Sequence, residues 1–344
     1  MVFFPLDRQL RVEGQQWSEG LCKLAVWLDA LLTFAQTESV LQQVGQMVMS
    51  DSSAWRQLQS SGTQARALEA AQRAAATATP DRQQIVPGEA RGDERLAATL
   101  DGAMIHIRRE GWKELKVGGI GKIELAPTRD PITGDMLELA HTVENTYVAH
   151  LGGPEIFGQQ LWAEAKARRW SQAAETVVLG DGAGWIWNQA AEHFYDSVQI
   201  VDWYHAKQHL AEAAQLLHGE GTPAAHQWLK DQETVLFEGH AERIADGLTR
   251  LAKGKRKVAA ELRQQAGYFR DHQRRMQYLE RREEDFPIGS GLAESGCKQF
   301  RARFTGPGMR WNRTGAQHLL PVRAAVMSHR FDAFWSALRA APLN

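Results

Sequence analysis

Cysteine is almost missing from this sequence: Cys22 and Cys297 are the only two in 344 residues. A disulfide framework or a four-cysteine zinc site is therefore excluded. No run approaches the ~20 consecutive apolar residues that a membrane-crossing helix needs. Nor does the N-terminus carry a basic stretch followed by an apolar one, so no secretion signal is expected. Together these absences predict a cytoplasmic protein with no membrane partner. Net charge is lacking as well, since 40 Lys and Arg offset 41 Asp and Glu to leave −1, and the molecule as a whole shows no polyanion signature. What it does have is 43% hydrophobic residues, over a length that allows two or three domains with a sizeable core.

The charge is unevenly distributed. Lys298, Arg301, Arg303, Arg310, Arg313, Arg323 and Arg330 follow one another with no Asp or Glu among residues 298–330, a local +7. Such a block predicts either a polyanion-binding surface or a solvated basic face without a partner.

Helical spacing dominates the first part of the chain. Residues Phe3 to Gly14 read as an extended lead-in. Leu21, Leu24, Ala25, Leu28, Leu31 and Leu32 mark a helix from Trp17 to Phe34 with Ser18 as N-cap. Further helices are expected at 36–44, at 51–60 with Trp55, Arg56 and Gln59 on its surface, and at 63–76. Two short helices joined by a tight turn have the outline of a DNA-binding helix-turn-helix, and equally of a plain helical bundle. A stretch rich in Pro, Gly and charge at 77–93 reads as a linker.

Beyond it the pattern alternates. Strands are expected at 95–107, ending or bulging at Asp101-Gly102, then at 112–125 and 136–150, forming an antiparallel meander. A helix at 156–169, a buried-type strand at 175–180, a helix at 185–194 and a strand at 197–201 complete a mixed α/β arrangement, the class of sheet that places ligand sites at strand ends. From Trp203 to Arg282 the spacing is helical throughout.

Three carboxylates terminate these apolar strands: Asp101, Asp181 and Asp202. A single Asp-Gly is ordinarily a hairpin turn, but both Asp101-Gly102 and Asp181-Gly182 are followed by more apolar structure. A fourth acid, Glu294, falls in the first turn of a helix that begins after the Gly289-Ser290-Gly291 turn. It shares a face with Lys298 and Arg301, which makes it either a metal ligand or half of a surface ion pair. Clustered carboxylates repel one another unless a hard divalent cation lies between them. Two Mg²⁺ or Mn²⁺ ions held in this way suit phosphodiester cleavage and transfer.

On the segments LDGAMIHIRREGWKELKVG, VVLGDGAGWIWNQAAEHF, VDWYHAKQHL and IGSGLAESGCKQF, the chain resembles the DDE-type transposases of bacterial insertion sequences, the ISKra-like group, whose catalytic part is similar to that of Mutator-like elements. The resemblance runs from the FFPLDRQL lead-in to about Trp335. It implies a ribonuclease-H-like core (94–205 and 287–344) interrupted by an all-helical insertion (206–286) and preceded by a helix-turn-helix-like domain (1–76). It also implies Asp101, Asp181 and Glu294 as catalytic metal ligands, with Asp202 and His205 in support, although His205 is equally readable as a buried structural histidine. Lys298, Arg301, Arg303, Arg310, Arg313 and Arg56 are the expected nucleic-acid contacts. Trp185 and Trp187 are either core residues or platforms for a flipped base. The implied partners are double-stranded DNA, both terminal repeats and target, and a second copy of the chain on that DNA, in a nucleoid-associated bacterial setting. One departure stands: members of the group often begin with a zinc-ribbon-like cysteine module, whereas this chain opens at Met1-Val2-Phe3 without a Cys-x-x-Cys and reads as a shorter form, a truncated one or a decayed element. A nuclease using the same acids and a non-catalytic DNA-binding derivative are the competing expectations.

Overall fold

A computed structural model describes residues 16–78, 92–130, 132, 134–254, 256–306 and 309–340. The lead-in and most of the linker expected from sequence lie outside these residues. At the centre is a five-stranded mixed sheet in the order β3-β2-β1-β4-β5. Strands β1 (Arg95–Ile107), β2 (Gly111–Arg129) and β3 (Met136–His150) form the expected antiparallel meander. Strands β4 (Glu175–Gly180) and β5 (Val198–Val201) run parallel to β1. Helix α4 (Pro154–Ala167) carries the chain from β3 to β4, and α5 (Gly184–His193) carries it from β4 to β5. The unbroken Val177-Val178-Leu179 run is explained by position, because a parallel strand covered on both faces buries every side chain.

Strand β1 departs from expectation in one respect that matters for the site. It neither ends nor bulges at Asp101-Gly102. Its register with β2 runs without a break from Leu96↔Lys122 to Ile107↔Gly111. Six residues of β1 therefore extend past Asp101, held by β2 alone on one side and touched by Trp311 on the other through a bridge to Ile107. A continuous partner strand outweighs a local turn signal.

The N-terminal helices are α1 (Glu19–Leu31), α2 (Phe34–Gly45) and α3 (Asp51–Ala78). Ser18 caps α1 by accepting from the Leu21 amide at 3.3 Å, as its position before the apolar stripe predicts. A reciprocal Thr33–Gln36 capping box opens α2. The two helices expected at 51–60 and 63–76 are one continuous helix of 28 residues. Gly62 does not break it, because that glycine is a contact point: a Cβ there would stand 2.6 Å from the His318 carbonyl oxygen. Gly62 thus lets α3 lie close against α12 (Arg313–Met327).

After β5 come α6 (Trp203–His218), α7 (Pro223–Phe237), α8 (Ala241–Gly254), α9 (Ala259–His272) and α10 (Tyr278–Glu283), the expected all-helical stretch. The chain then returns to the sheet as α11 (Gly291–Phe304), α12 and α13 (Phe331–Ala340). Two large clusters of buried side chains pack the molecule, with a third, smaller one in the N-terminal segment. One cluster joins Leu100, Phe157, Val178 and Trp203 to Leu236, Leu248 and Phe269 of the helical stretch. The other joins Ile105 and Val117 to Phe300, Trp311 and Leu319, and also to Cys22, Val26 and Leu58 of α1 and α3. The N-terminal segment thus packs on the C-terminal helices and also closes a small core of its own from Ala25, Leu28, Leu41, Met49 and Ala54.

The packing of α1 against α11 buries a titratable group. Asp29 of α1 is fully buried, and burial pushes its pKa up from 3.8 to about 7, opposed by Thr37 and by the nearby Arg303 guanidinium. The folded chain thus holds a proton that the unfolded chain releases between pH 3.8 and about 7. Stability from this group is highest at the acidic end of that window and falls as pH rises through it. Asp29→Asn removes the ionisation. The stability advantage of Asp29→Asn over wild type is expected to grow from pH 4 to pH 7 and then level off, the rise amounting to at most ~4 kcal/mol. A constant difference across a pH series of thermal melts would overturn this.

Candidate active site

The parallel registers Leu100↔Gly180 and Gly180↔Val201 leave Asp101, Asp181 and Asp202 one step further along three adjacent strands. They form a row across the sheet, with neighbouring backbones ~4.8 Å apart. Asp101 is therefore level with the ends of β4 and β5 although it lies in the middle of its own strand. Its Oδ1 accepts from the Gly102 amide at 2.6 Å. Burial raises the Asp101 pKa, and the Asp181 charge raises it further, while the Gly102 amide and His205 act in the opposite sense.

Asp181 is held by a tight turn. Its Oδ1 accepts from the Ala183 amide at 2.8 Å, and its backbone carbonyl accepts from the Tyr268 hydroxyl at 3.0 Å. Gly182 has φ = +103°, and a Cβ there would stand 2.7 Å from the Tyr268 ring. The turn thus needs glycine both for its backbone conformation and for the close approach of α9. Tyr268 stacks on His209 at 3.6 Å between ring centroids. Burial, and after it the Asp181 and Asp202 charges, hold its hydroxyl protonated far above the ordinary tyrosine range. The helical stretch thereby supplies one wall of the site.

Asp202 is a fastener. It is buried, its Oδ1 accepts from the His205 amide at 2.9 Å to cap α6, and its Oδ2 accepts from the Ser290 amide at the start of α11. The Trp203 amide also donates to the Ile288 carbonyl at 2.9 Å. The end of β5 is thus tied to the segment that delivers Glu294. His205 is partly exposed, with its Nδ1 3.9 Å from Asp202, so it borders the site and is not the buried structural histidine.

Helix α11 lies over Asp101. Cys297, on its buried face, is within hydrogen-bonding reach of the Asp101 carboxylate, and burial together with the Asp101, Asp181 and Glu294 charges pushes its thiol pKa far up. Tyr204 is raised by burial first, then by Asp202, with a smaller contribution from Glu294. Glu294 is therefore near the acid row. Its side chain, however, is 55% exposed and bonded to Lys298 at 2.6 Å. The structure brings Asp101 and Asp181 together, reserves Asp202 for a structural bond and engages Glu294 in a surface ion pair. Among the described residues no group of three or more His, Cys, Asp or Glu is arranged to hold a metal ion. The donor chemistry of Asp101 and Asp181 nevertheless suits a hard divalent cation, because a cation would relieve the repulsion and burial that raise the Asp101 pKa.

Neither a protein-family model nor a curated protein matches this chain. The site therefore rests on its own geometry.

The basic block is largely absorbed by the fold. Arg303 is 3% exposed, donates to the Asp29 carbonyl at 2.9 Å, and lies 5.0 Å from the Trp311 ring centroid. Arg323 is also buried and donates to the Ala30 carbonyl at 2.9 Å. Arg313 forms a forked pair with Glu110, and Arg330 pairs with Glu164. A local +7 in sequence thus leaves Arg301 and Arg310 exposed, with Lys298 paired to Glu294. Arg303 is a core residue, which corrects its reading as a nucleic-acid contact, and Arg313 braces the β1-β2 turn. Arg56 is exposed on α3 as expected, whereas Gln59 faces inward and bonds His318 at 2.8 Å. Trp187 is buried beneath Arg275, and Trp185 packs edge-on against Phe157 under Lys116, so neither ring is open to a base.

Sequence reasoning missed Cys297 and Tyr268. Cys297 lies one helical turn after Glu294, a spacing that points it towards the sheet. Nothing in the sequence around Tyr268 points to Asp181.

Proposed function

We propose that this chain is a metal-dependent DNA-cutting and strand-joining enzyme, a DDE-type transposase of the ISKra-like group with a ribonuclease-H-like core. The observation that carries the reading is the juxtaposition of Asp101 and Asp181 on adjacent parallel strands beneath the helix bearing Glu294. The strand order β3-β2-β1-β4-β5, with its helical stretch between β5 and α11, supports it. In this reading Asp101 and Asp181 hold a divalent cation, and Glu294 is the third acid. A divalent cation held there would supply activation of the attacking oxygen and charge stabilisation of the leaving one. The chain's own contribution is placement. The Gly102 and Ala183 amides orient the two carboxylates, Tyr268 fixes the Asp181 turn, and Asp202 keeps α11 in register with the sheet. Cutting two element ends together calls for two copies, so a dimer on DNA belongs to the same reading.

The test is incubation of the purified chain with duplexes carrying the flanks of its own gene, with Mg²⁺ or Mn²⁺, scored for nicks at fixed positions. Absence of any metal-dependent cut would refute the reading. A second reading, a DNA-binding derivative without catalysis, is favoured by the Glu294–Lys298 pair. It predicts metal-independent binding to the same duplexes and no nick. No helix among the described residues is long and apolar enough to cross a membrane.

The two kinds of arginine on α11 separate cleanly. Arg301→Ala is expected to weaken DNA binding and to lower the salt dependence of log K by about one counterion. Arg303→Ala is expected to cost about 3 kcal/mol of stability, because it empties a buried cation–aromatic site and leaves the Asp29 carbonyl unpaired. Thermal melts and salt-titrated binding of the two variants check this, and equal effects on both readouts would contradict it.

A further inference from the structure

Beyond Asp101, the free end of the β1-β2 hairpin presents a surface that the proposed catalytic site does not use. Trp112 is 58% exposed at its tip, and His106 on the facing strand meets it edge-on at 5.7 Å. Arg108 and Arg109 are exposed in the turn, and Arg310 is exposed on the adjacent segment, where the Arg108 amide donates to the Trp311 carbonyl at 2.8 Å. These residues line a cleft of about 550 Å³. The two carboxylates of the hairpin are committed elsewhere, Glu110 to Arg313 and Glu114 to Lys116, so three arginines face the cleft without a compensating acid on the hairpin. A large exposed indole costs free energy in water unless something covers it. Arginines around a flat aromatic face are the pairing that a nucleic-acid strand satisfies, phosphates against cations and a base against the ring.

We propose that this hairpin end binds a DNA strand carrying an unpaired base, with the base stacked on Trp112 and the backbone following Arg108, Arg109 and Arg310. The identity of the polymer rests on the proposed function; the surface itself rests on charge complementarity and the open ring. His106↔Trp112 lies five residues along β1 from Asp101, which is ~17 Å at the rise of a strand.

The test is fluorescence anisotropy with the full chain in EDTA, using a blunt duplex and the same duplex with a single-stranded overhang. Trp112→Ala is expected to weaken overhang binding about tenfold or more, to change blunt-duplex binding less than about twofold, and to be rescued by Trp112→Phe. The double variant Arg108→Ala/Arg109→Ala weakens both DNAs and flattens the salt dependence by one to two counterions, about 0.9 in slope for each phosphate that is no longer neutralised. Overhang affinity unchanged in Trp112→Ala, or equal losses on both DNAs, overturns the stacking site. If wild type cuts its duplex in Mg²⁺ and Asp101→Asn does not while Trp112→Ala still binds the overhang normally, this surface alone is refuted. Failure of wild type to bind any DNA refutes both this surface and the proposed function.

Discussion

Asp101→Asn and Asp181→Asn are each expected to lower metal-dependent DNA cleavage by about a thousandfold or more while leaving DNA affinity within about twofold. The two carboxylates are neighbours in a half-buried row, and burial with the Asp181 charge already raises the Asp101 pKa. Neutralising either side chain removes half of the negative charge that would hold the cation. It removes none of the exposed cations that would meet the phosphate backbone. A readout independent of turnover follows from linkage: Mg²⁺ or Mn²⁺ should raise the Tm of wild type in a concentration-dependent way and should leave Asp101→Asn unmoved. An Asp181→Asn variant with undiminished cleavage would falsify the assignment. A wild-type melt insensitive to divalent cations would count equally against it.

The second large effect is structural. Asp202→Ala is expected to lower stability by about 3 kcal/mol and to abolish cleavage along with it. The variant leaves two buried amides, those of His205 and Ser290, without the acceptors they have in wild type, at about 1–3 kcal/mol each. It also uncaps α6. Asp202→Asn should fall between the two, because its amide keeps a single acceptor oxygen and can serve only one of those N–H groups. The consequence for the site is positional, since Asp202 joins the end of β5 to the start of the helix carrying Glu294 and Cys297. If Asp202→Ala melts like wild type and still cleaves, the fastening role is wrong. If it melts like wild type and fails to cleave, Asp202 belongs with the catalytic acids instead.

Much of the sheet was readable one segment at a time. The bounds of β1, β3 and β4 expected from alternation and turn residues coincide with the observed 95–107, 136–150 and 175–180. Such signals are local: a strand with one face buried repeats every two residues, and a polar turn follows it. The helical stretch from Trp203 onwards was equally plain, because the 3.6-residue spacing persists through it. Asp101-Gly102 misled, since the dipeptide has the chemistry of a turn while the pairing that overrides it comes from β2. The break expected between residues 60 and 63 is absent, and Gly62 inside the continuous helix admits the backbone of α12.

The candidate site divides along the same line. Composition and order alone marked Asp101, Asp181, Asp202 and Glu294, because acids at the ends of apolar strands and in a first helical turn are visible in one dimension. Their different fates depend on what approaches each from elsewhere in the chain. Asp202 meets the Ser290 amide from 88 residues away, and Asp181 meets Tyr268 from 87. The arginines make the point most sharply. A string of seven cations reads as a surface, yet Arg303 and Arg323 reach back to Asp29 and Ala30, and only packing of α11 and α12 against α1 could turn them inward.

The amino-acid order by itself determined the segments, their helical or extended character and the identity of the acids, because those follow from periodicity and from residue chemistry within a few neighbours. Which of the acids stand together, which cations are buried and which aromatic ring stays open at the hairpin tip were decided by tertiary structure, since each depends on a contact between residues far apart in the chain whose burial no local pattern encodes.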